Sequence, residues 1–261
     1  MAGSALINVM VAAARKAARG LMRDFGEVEQ LQVSRKGPAD FVSNADRRAE
    51  KVLHRELAAA RPGYGFLLEE GGVVEGADKT HRWIIDPLDG TTNFLHSIPL
   101  FAISVALERE GTLVAGLVYC PATDELFTAE RGKGAFFNDR RIRVAARTRL
   151  RDAVICTGIP HMARGDHARF SRELTNIMPQ VAGIRRTGSA ATDLAWLAAG
   201  RFDGFWEYGL SPWDMAAGIV LIREAGGVIT DMAGGDNMLK TGSIAAANTH
   251  LHKDMRKMLI S

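Results

Sequence analysis

Residues 83–94 read Trp-Ile-Ile-Asp-Pro-Leu-Asp-Gly-Thr-Thr-Asn-Phe, a stretch that begins as a buried strand and ends in two carboxylates, a glycine and two hydroxyls. Two negative charges at the end of a buried strand repel each other and lose hydration, which raises a pKa or opens the site unless a counter-charge is at hand. No lysine or arginine lies between Ile84 and Phe101 to supply one locally. A hard divalent cation is the economical alternative, because carboxylate and carbonyl oxygens are its preferred ligands. Asp86-Pro87-Leu88-Asp89 suits that role: Pro87 stiffens the turn and removes an N–H, and the Leu88 carbonyl can point with the two side chains. Gly90 and Thr91 then open a helix whose free amides and dipole favour phosphate. The plainer reading is an Asx turn followed by an N-cap, since Asp, Gly and Thr are common there.

Other segments strengthen the metal reading. Leu67-Leu68-Glu69-Glu70-Gly71 sets two more carboxylates after an apolar run, just ahead of this strand. Ser211-Pro212-Trp213-Asp214 places Asp214 in the first turn of a helix, with Ser211 as N-cap and Pro212 at the first helical position. Each alone is ordinary, an acidic first turn being dipole compensation; their conjunction is not. The spacing also excludes one alternative. The Asp-x-Asp-Gly-Thr of haloacid dehalogenase-type phosphatases has its aspartates two apart, whereas here they are three apart and preceded by two helices, which argues against an aspartyl-phosphate intermediate.

The chain has 261 residues, enough for one large domain or two small ones packed closely. Helical periodicity covers 4–23 and again 44–61, with Ser43 or Asn44 as N-cap. Beyond the 83–86 strand, 101–107 and 112–119 form a hairpin across Glu108-Arg109-Glu110-Gly111, and 125–129 and 141–144 continue an antiparallel set. From about residue 152 short strands alternate with helices near 165–178, 189–199, 213–225 and 250–259, the pattern of a sheet with helices on its faces. The expectation is an α+β unit over 1–146, carrying most of the acidic residues, docked without a linker on an α/β unit over 147–261 that carries Asp214. Apolar residues at 47% and charged residues at 24% describe an ordinary globular protein. A net charge of +3 hints only at acidic partners such as phosphorylated small molecules. Cys120 and Cys156, far apart and outside any Cys-x-x-Cys spacing, read as free thiols of a reducing cytoplasm. The apolar N-terminal run lacks a basic leader and is too short to cross a bilayer, so no membrane role is expected.

Together these stretches resemble the inositol monophosphatase family of magnesium-dependent, lithium-sensitive sugar phosphatases. The carriers are Trp83–Phe94, Trp213–Gly227, Asp40–Asp46 and Gly65–Glu70, and the match spans nearly the whole chain. Within that family, residues 185–207 are most similar to the bacterial SuhB type. The resemblance implies a layered αβαβα sandwich, a homodimer and a magnesium site of Glu69, Asp86, Asp89, Asp214 and the Leu88 carbonyl. It implies that Thr91 and Asp46, as a hydrogen-bonded pair, prepare the attacking water with Glu69. It gives phosphate to the Gly90 and Thr91 amides, and the alcohol side to Gly188, Ser189, Ala190 and Glu207, with Asp89 and Asp214 also touching substrate. The substrate expected is myo-inositol monophosphate or a related small polyol phosphate. Fructose bisphosphate, histidinol phosphate and phosphoadenosine phosphate stay open, because the loop between Glu69 and Asp86 and the run 208–212 depart from the family pattern on the alcohol side.

Weaker signals read as structure. Residues 131–138 contain Gly-x-Gly without the further glycine of a dinucleotide loop and read as a turn; His250 and His252 read as surface histidines; Lys36, ahead of Asp40, reads as a loop lysine or an approach to the metal site. Six arginines in 140–151 suit a solvated strand edge or, as the SuhB resemblance implies, a face for the transcription or RNA machinery.

Overall fold

The computed structural model describes residues 4–27, 33–35, 41–161 and 165–260; Lys36 and Asp40 lie outside them. Two long helices come first, α1 (Ala5–Gly26) and α2 (Asn44–Ala60), flanking a small ribbon of β1 (Val33–Arg35) and β2 (Phe41–Ser43). The Ser4 hydroxyl caps α1 by accepting from the Ile7 amide at 3.2 Å.

The first sheet contains β3 (Tyr64–Leu68), β4 (Gly72–Val74), β5 (Asp78–Asp89), β6 (Ala102–Arg109), β7 (Thr112–Cys120), β8 (Glu125–Glu130), β9 (Gly134–Phe137) and β10 (Arg140–Ile142), with α3 (Thr91–Leu95) following β5. Its eight strands run in the order β10-β9-β8-β7-β6-β5-β3-β4. The hairpin between β6 and β7 closes through Glu110 and Gly111, both at positive φ, as a right-twisted two-residue turn requires. Residues 131–138, expected to be a turn, contain β9 instead: the turn is confined to its first residues, and pairing with β8 recruits Gly134–Phe137.

The remainder supplies β11 (Val154–Thr157), α4 (His167–Ile177), β12 (Gly183–Arg185), α5 (Ala190–Ala198), β13 (Gly204–Tyr208), α6 (Pro212–Glu224), β14 (Val228–Thr230), α7 (Met238–Thr241), β15 (Ser243–Ala247) and α8 (His252–Ile260). The five strands run β12-β11-β13-β15-β14, parallel around β11 and antiparallel around β15.

Side-chain alternation along each strand sets the layers. Trp83, Ile85, Val105 and Leu117 face α1 and α2, while Ile84, Ala106, Val118 and Phe127 face α5 and α6. The far side of α5 and α6 meets Cys156, Phe205 and Ala246 of the second sheet, whose other face holds α4 and α8 through Ile155, Trp206 and Ala245. The fold is therefore an αβαβα sandwich. Its middle helices are apolar all round, as helices between two sheets must be. Gly116 lets them sit close, since a Cβ there would lie 2.6 Å from the Ala217 carbonyl oxygen of α6.

His252 is buried, which corrects the surface reading: its Nε2 lies 3.1 Å from the Ala245 carbonyl and from the Thr230 hydroxyl, and burial lowers its pKa. The signal that could have exposed this is the helical spacing of Leu251, Met255 and Leu259, which puts His252 beside the inward stripe.

Candidate active site and metal centre

The acidic residues arrive from three separate parts of the chain. Glu69 follows β3, Asp86 and Asp89 lie at the end of β5 where its pairing with β6 slips register, and Asp214 sits in the first turn of α6. A bulge at that point turns both aspartates out of the sheet toward one spot, as bulges beside functional sites commonly do. One carboxylate oxygen each from Asp86, Asp89 and Asp214 falls within 4.8 Å of the others. Glu69 hydrogen-bonds Asp86, yet its Oε2 is buried with no hydrogen-bond partner.

Burial dominates the electrostatics and neighbouring carboxylates add to it. Glu69 is pushed up to about 7 by burial and by repulsion from Glu70, Asp89 and Glu50, and Asp214 up to about 8 by burial and by Asp89. Asp86, completely buried, is raised well above the usual range by burial and then by Glu69 and Asp89. Asp89 rises less, to about 6, because burial is opposed by the Ser189 hydroxyl at 2.6 Å and the Ala191 amide at 2.7 Å. Among the described residues no lysine or arginine forms an ion pair with any of the four. A donor set made only of oxygen, crowded to this spacing and short of positive charge, fits a hard divalent cation. The pair Glu69-Glu70 resolves in the same sense: Glu70 turns to the Arg47 guanidinium at 3.4 Å, and Glu69 turns inward.

The remaining expected residues surround one cavity of about 220 Å³, which Glu69, Asp89, Gly90, Thr91, Gly188, Ser189, Ala190, Glu207 and Asp214 all line. Gly90 has φ +90°, and a Cβ there would lie 2.9 Å from the Leu100 carbonyl oxygen, so only glycine fits. The Leu88 amide donates to Asp86 Oδ1 at 2.9 Å, tying the turn to the carboxylate it presents. Ser189 gives its hydroxyl to Asp89 and caps α5, so it positions a carboxylate in addition to lining the cavity. The Thr91 hydroxyl donates to the Leu88 carbonyl at 3.0 Å, and Asp46, its expected partner, is buried in α2. The Leu88 carbonyl keeps a second lone pair for a cation.

Six further lining residues were not among those expected, Thr92 and Leu210 included. Asp193 in α5 is buried, accepts the Thr187 hydroxyl at 2.6 Å and is pushed up to about 7 by burial. Gly158 abuts the Glu207 carboxyl so closely that a Cβ would lie 1.7 Å from Oε1. His161 and Arg186 complete the wall. The Asn93 amide group, donating to the Leu100 and Thr187 carbonyls at 2.7 and 2.9 Å, stitches the two halves together beside the cavity.

The family model described as the inositol monophosphatase family matches residues 3–261. The inositol-1-monophosphatase of Mesorhizobium japonicum is 64% identical over 98% of this chain and 97% of its own length. The Nus factor SuhB of Escherichia coli is 42% identical over 96% of this chain and 94% of its own. The crystal structure of the extragenic suppressor protein suhB from Bartonella henselae superposes with a TM-score of 0.96 at 59% identity, covering 98% of each chain. The chain belongs to the inositol monophosphatase family.

Proposed function

We propose that this phosphatase hydrolyses myo-inositol monophosphate and related small polyol phosphates, with magnesium as its ion and water as the nucleophile. The observation that carries the reading is the convergence of Asp86, Asp89 and Asp214, from segments far apart in sequence, into one cation-deficient group beside a cavity, with Glu69 against Asp86. Those four and the Leu88 carbonyl would hold the ion. Bound magnesium acidifies water, neutralises phosphate charge and stabilises a leaving alkoxide.

The chain's own residues do the rest. Glu69 Oε2, buried and free of hydrogen-bond partners, takes the proton of the attacking water, with Thr91 and Asp46 orienting it. The amides of Gly90 and Thr91 hold the phosphate, while Gly188, Ser189, Ala190 and Glu207 face the alcohol. Asp214 holds the water that returns a proton to the leaving oxygen. Phosphate release from a panel of sugar phosphates, with Mg²⁺ titrated and Li⁺ added, tests this: hydrolysis of inositol monophosphate that needs Mg²⁺ and falls with Li⁺ supports it, and metal-independent or absent hydrolysis refutes it.

A second role in transcription is favoured by the 42% identity to the Nus factor of Escherichia coli and by the arginines of 140–151. All six are exposed, and Arg147 and Arg149 also pair with Asp203 and Asp152. Pull-down with an inactive variant tests it. We also place the protein in the cytoplasm as a homodimer; no helix among the described residues is long and apolar enough to cross a membrane.

A further inference from the structure

Toward the opposite end of β5 from the carboxylates lies a separate recess of about 330 Å³, which shares no lining residue with the cavity they line. Five residues of strand separate His81 on its wall from Asp86, a span of ~17 Å when extended. Its volume exceeds the ~300 Å³ at which small-molecule sites usually begin. Leu6 of α1, Leu107 of β6 and Val114 of β7 give it an apolar floor.

The rim is cationic. Arg61 follows α2, Arg109 ends β6 and Arg131 follows β8, so three arginines reach one recess from segments far apart in sequence. Arg61 gives one N–H to the Ala60 carbonyl at 2.8 Å, at the end of α2. Arg109 and Arg131 make no ion pair or side-chain hydrogen bond among the described residues. The acids around them are already engaged or face elsewhere. Glu130, on this wall, accepts from the Ser4 hydroxyl and the Lys133 ammonium. Glu108 pairs with Arg82 at 2.7 Å, and Glu110 lies in the adjoining turn, outside the lining. Asp78 pairs with His81 at 2.8 Å, and the His81 ring is stacked on Tyr64 with centres 4.4 Å apart, which fixes that wall.

Positive charges gathered on a concave surface with low-dielectric walls focus their field on whatever enters. Guanidinium suits phosphate because its planar fork pairs with two oxygens at once. Two unpaired forks from different strands match an anion with more than one phosphate group better than a single phosphate. We propose that this recess binds compact polyphosphates, anions with two or more linked phosphate groups, through Arg109 and Arg131 with Arg61 at the edge. The site stands apart from the phosphatase cavity, and its occupation needs no metal ion.

Calorimetric titration of tripolyphosphate into the full chain tests this, in EDTA so that no metal complex of the anion forms. One tripolyphosphate is expected per chain, with affinity falling as salt is raised. Arg109→Met and Arg131→Met should each weaken binding about tenfold, the scale of one charge-assisted hydrogen bond, with Tm unchanged, and Arg109→Lys should recover part of the loss. Arg172→Met, at an exposed position on α4 of the other sheet, should leave binding as in the wild type. Absent binding, binding that survives both substitutions, or equal weakening in Arg172→Met would overturn the proposal. So would an RNA oligonucleotide that binds more tightly than tripolyphosphate and is lost in the same variants, since the recess would then be part of a nucleic-acid face.

Discussion

Asp214 serves the fold and, in the function proposed, the chemistry at once. Its Oδ2 accepts the Ser211 amide at 2.7 Å and so closes the first turn of α6, while the same carboxylate crowds Asp89 and is pushed up to about 8. Asparagine keeps an oxygen for the Ser211 amide and removes the charge. Asp214→Asn should therefore lower kcat by at least ~100-fold at saturating Mg²⁺, yet raise the stability of the metal-free protein by roughly 1–3 kcal/mol. Steady-state kinetics and denaturant unfolding in EDTA check the pair; a variant with wild-type turnover would remove Asp214 from the site. Gly158 offers a complementary probe. A methyl group there collides with the Glu207 carboxyl, not with any of the four clustered acids. Gly158→Ala should raise KM for inositol monophosphate about tenfold with the Mg²⁺ dependence of rate unchanged. A shifted Mg²⁺ dependence would show that Glu207 acts on the ion.

At the scale of elements, one buried carboxylate joins Asn248 in anchoring the chain between the sheets. Asp203 accepts the Val154 amide at 2.8 Å, at the start of β11, and pairs with Arg147 at 2.9 Å, its own side chain wholly buried. Asp203→Ala strands the Val154 amide and should cost ~1–3 kcal/mol, read as a lower denaturation midpoint at constant m-value; a change under ~0.5 kcal/mol, the range of ordinary surface substitutions, would contradict that role. The long helices could be read from sequence because their apolar stripes repeat over several turns: Met10, Ala14, Ala17 and Leu21 of α1 all reach the core. The short strands could not. β4, β9 and β12 have three or four residues each and exist because a neighbouring strand pairs with them, which no local pattern encodes, whereas β10 falls within the strand expected over 141–144. The site divides in the same way. Asp86, Asp89 and Asp214 were legible because charge beside a buried strand or under a helix cap demands an explanation. Asp193, an acid in a helical first turn, has an ordinary explanation in dipole compensation, and only the second sheet closing over it makes it a buried wall of the cavity beside the carboxylates.

For the molecule as a whole, a division proposed near residue 146 separates two sheets but not two cores, because Ile84, Val118 and Phe127 pack with Leu194, Ile219 and Phe205 in one cluster. The acid cluster lies on that seam, so its ionisation acts on the stability of the entire fold. Asp89, Glu69 and Asp214 are raised to about 6, 7 and 8 in the folded protein, from ordinary values near ~4. Below ~4 they are protonated in both states. Above that, the unfolded chain gives up protons that the folded one keeps, so stability of the metal-free protein falls as pH rises until about 8, where the last of the three ionises. His252 acts with the opposite sign, since burial lowers its pKa, and its loss of stability is confined to pH below ~6.5. The interval from ~6.5 to ~8 is therefore governed by the carboxylates. A divalent cation needs them ionised, so its binding releases protons and tightens over the same interval. Unfolding followed at several pH values there, in EDTA and again in excess Mg²⁺, should give a metal-free midpoint that declines with pH and a Mg²⁺-induced increase in midpoint that grows with pH. A metal-free profile that is flat or rising would mean that these carboxylates are not desolvated together, and the cation-deficient site would lose its physical basis.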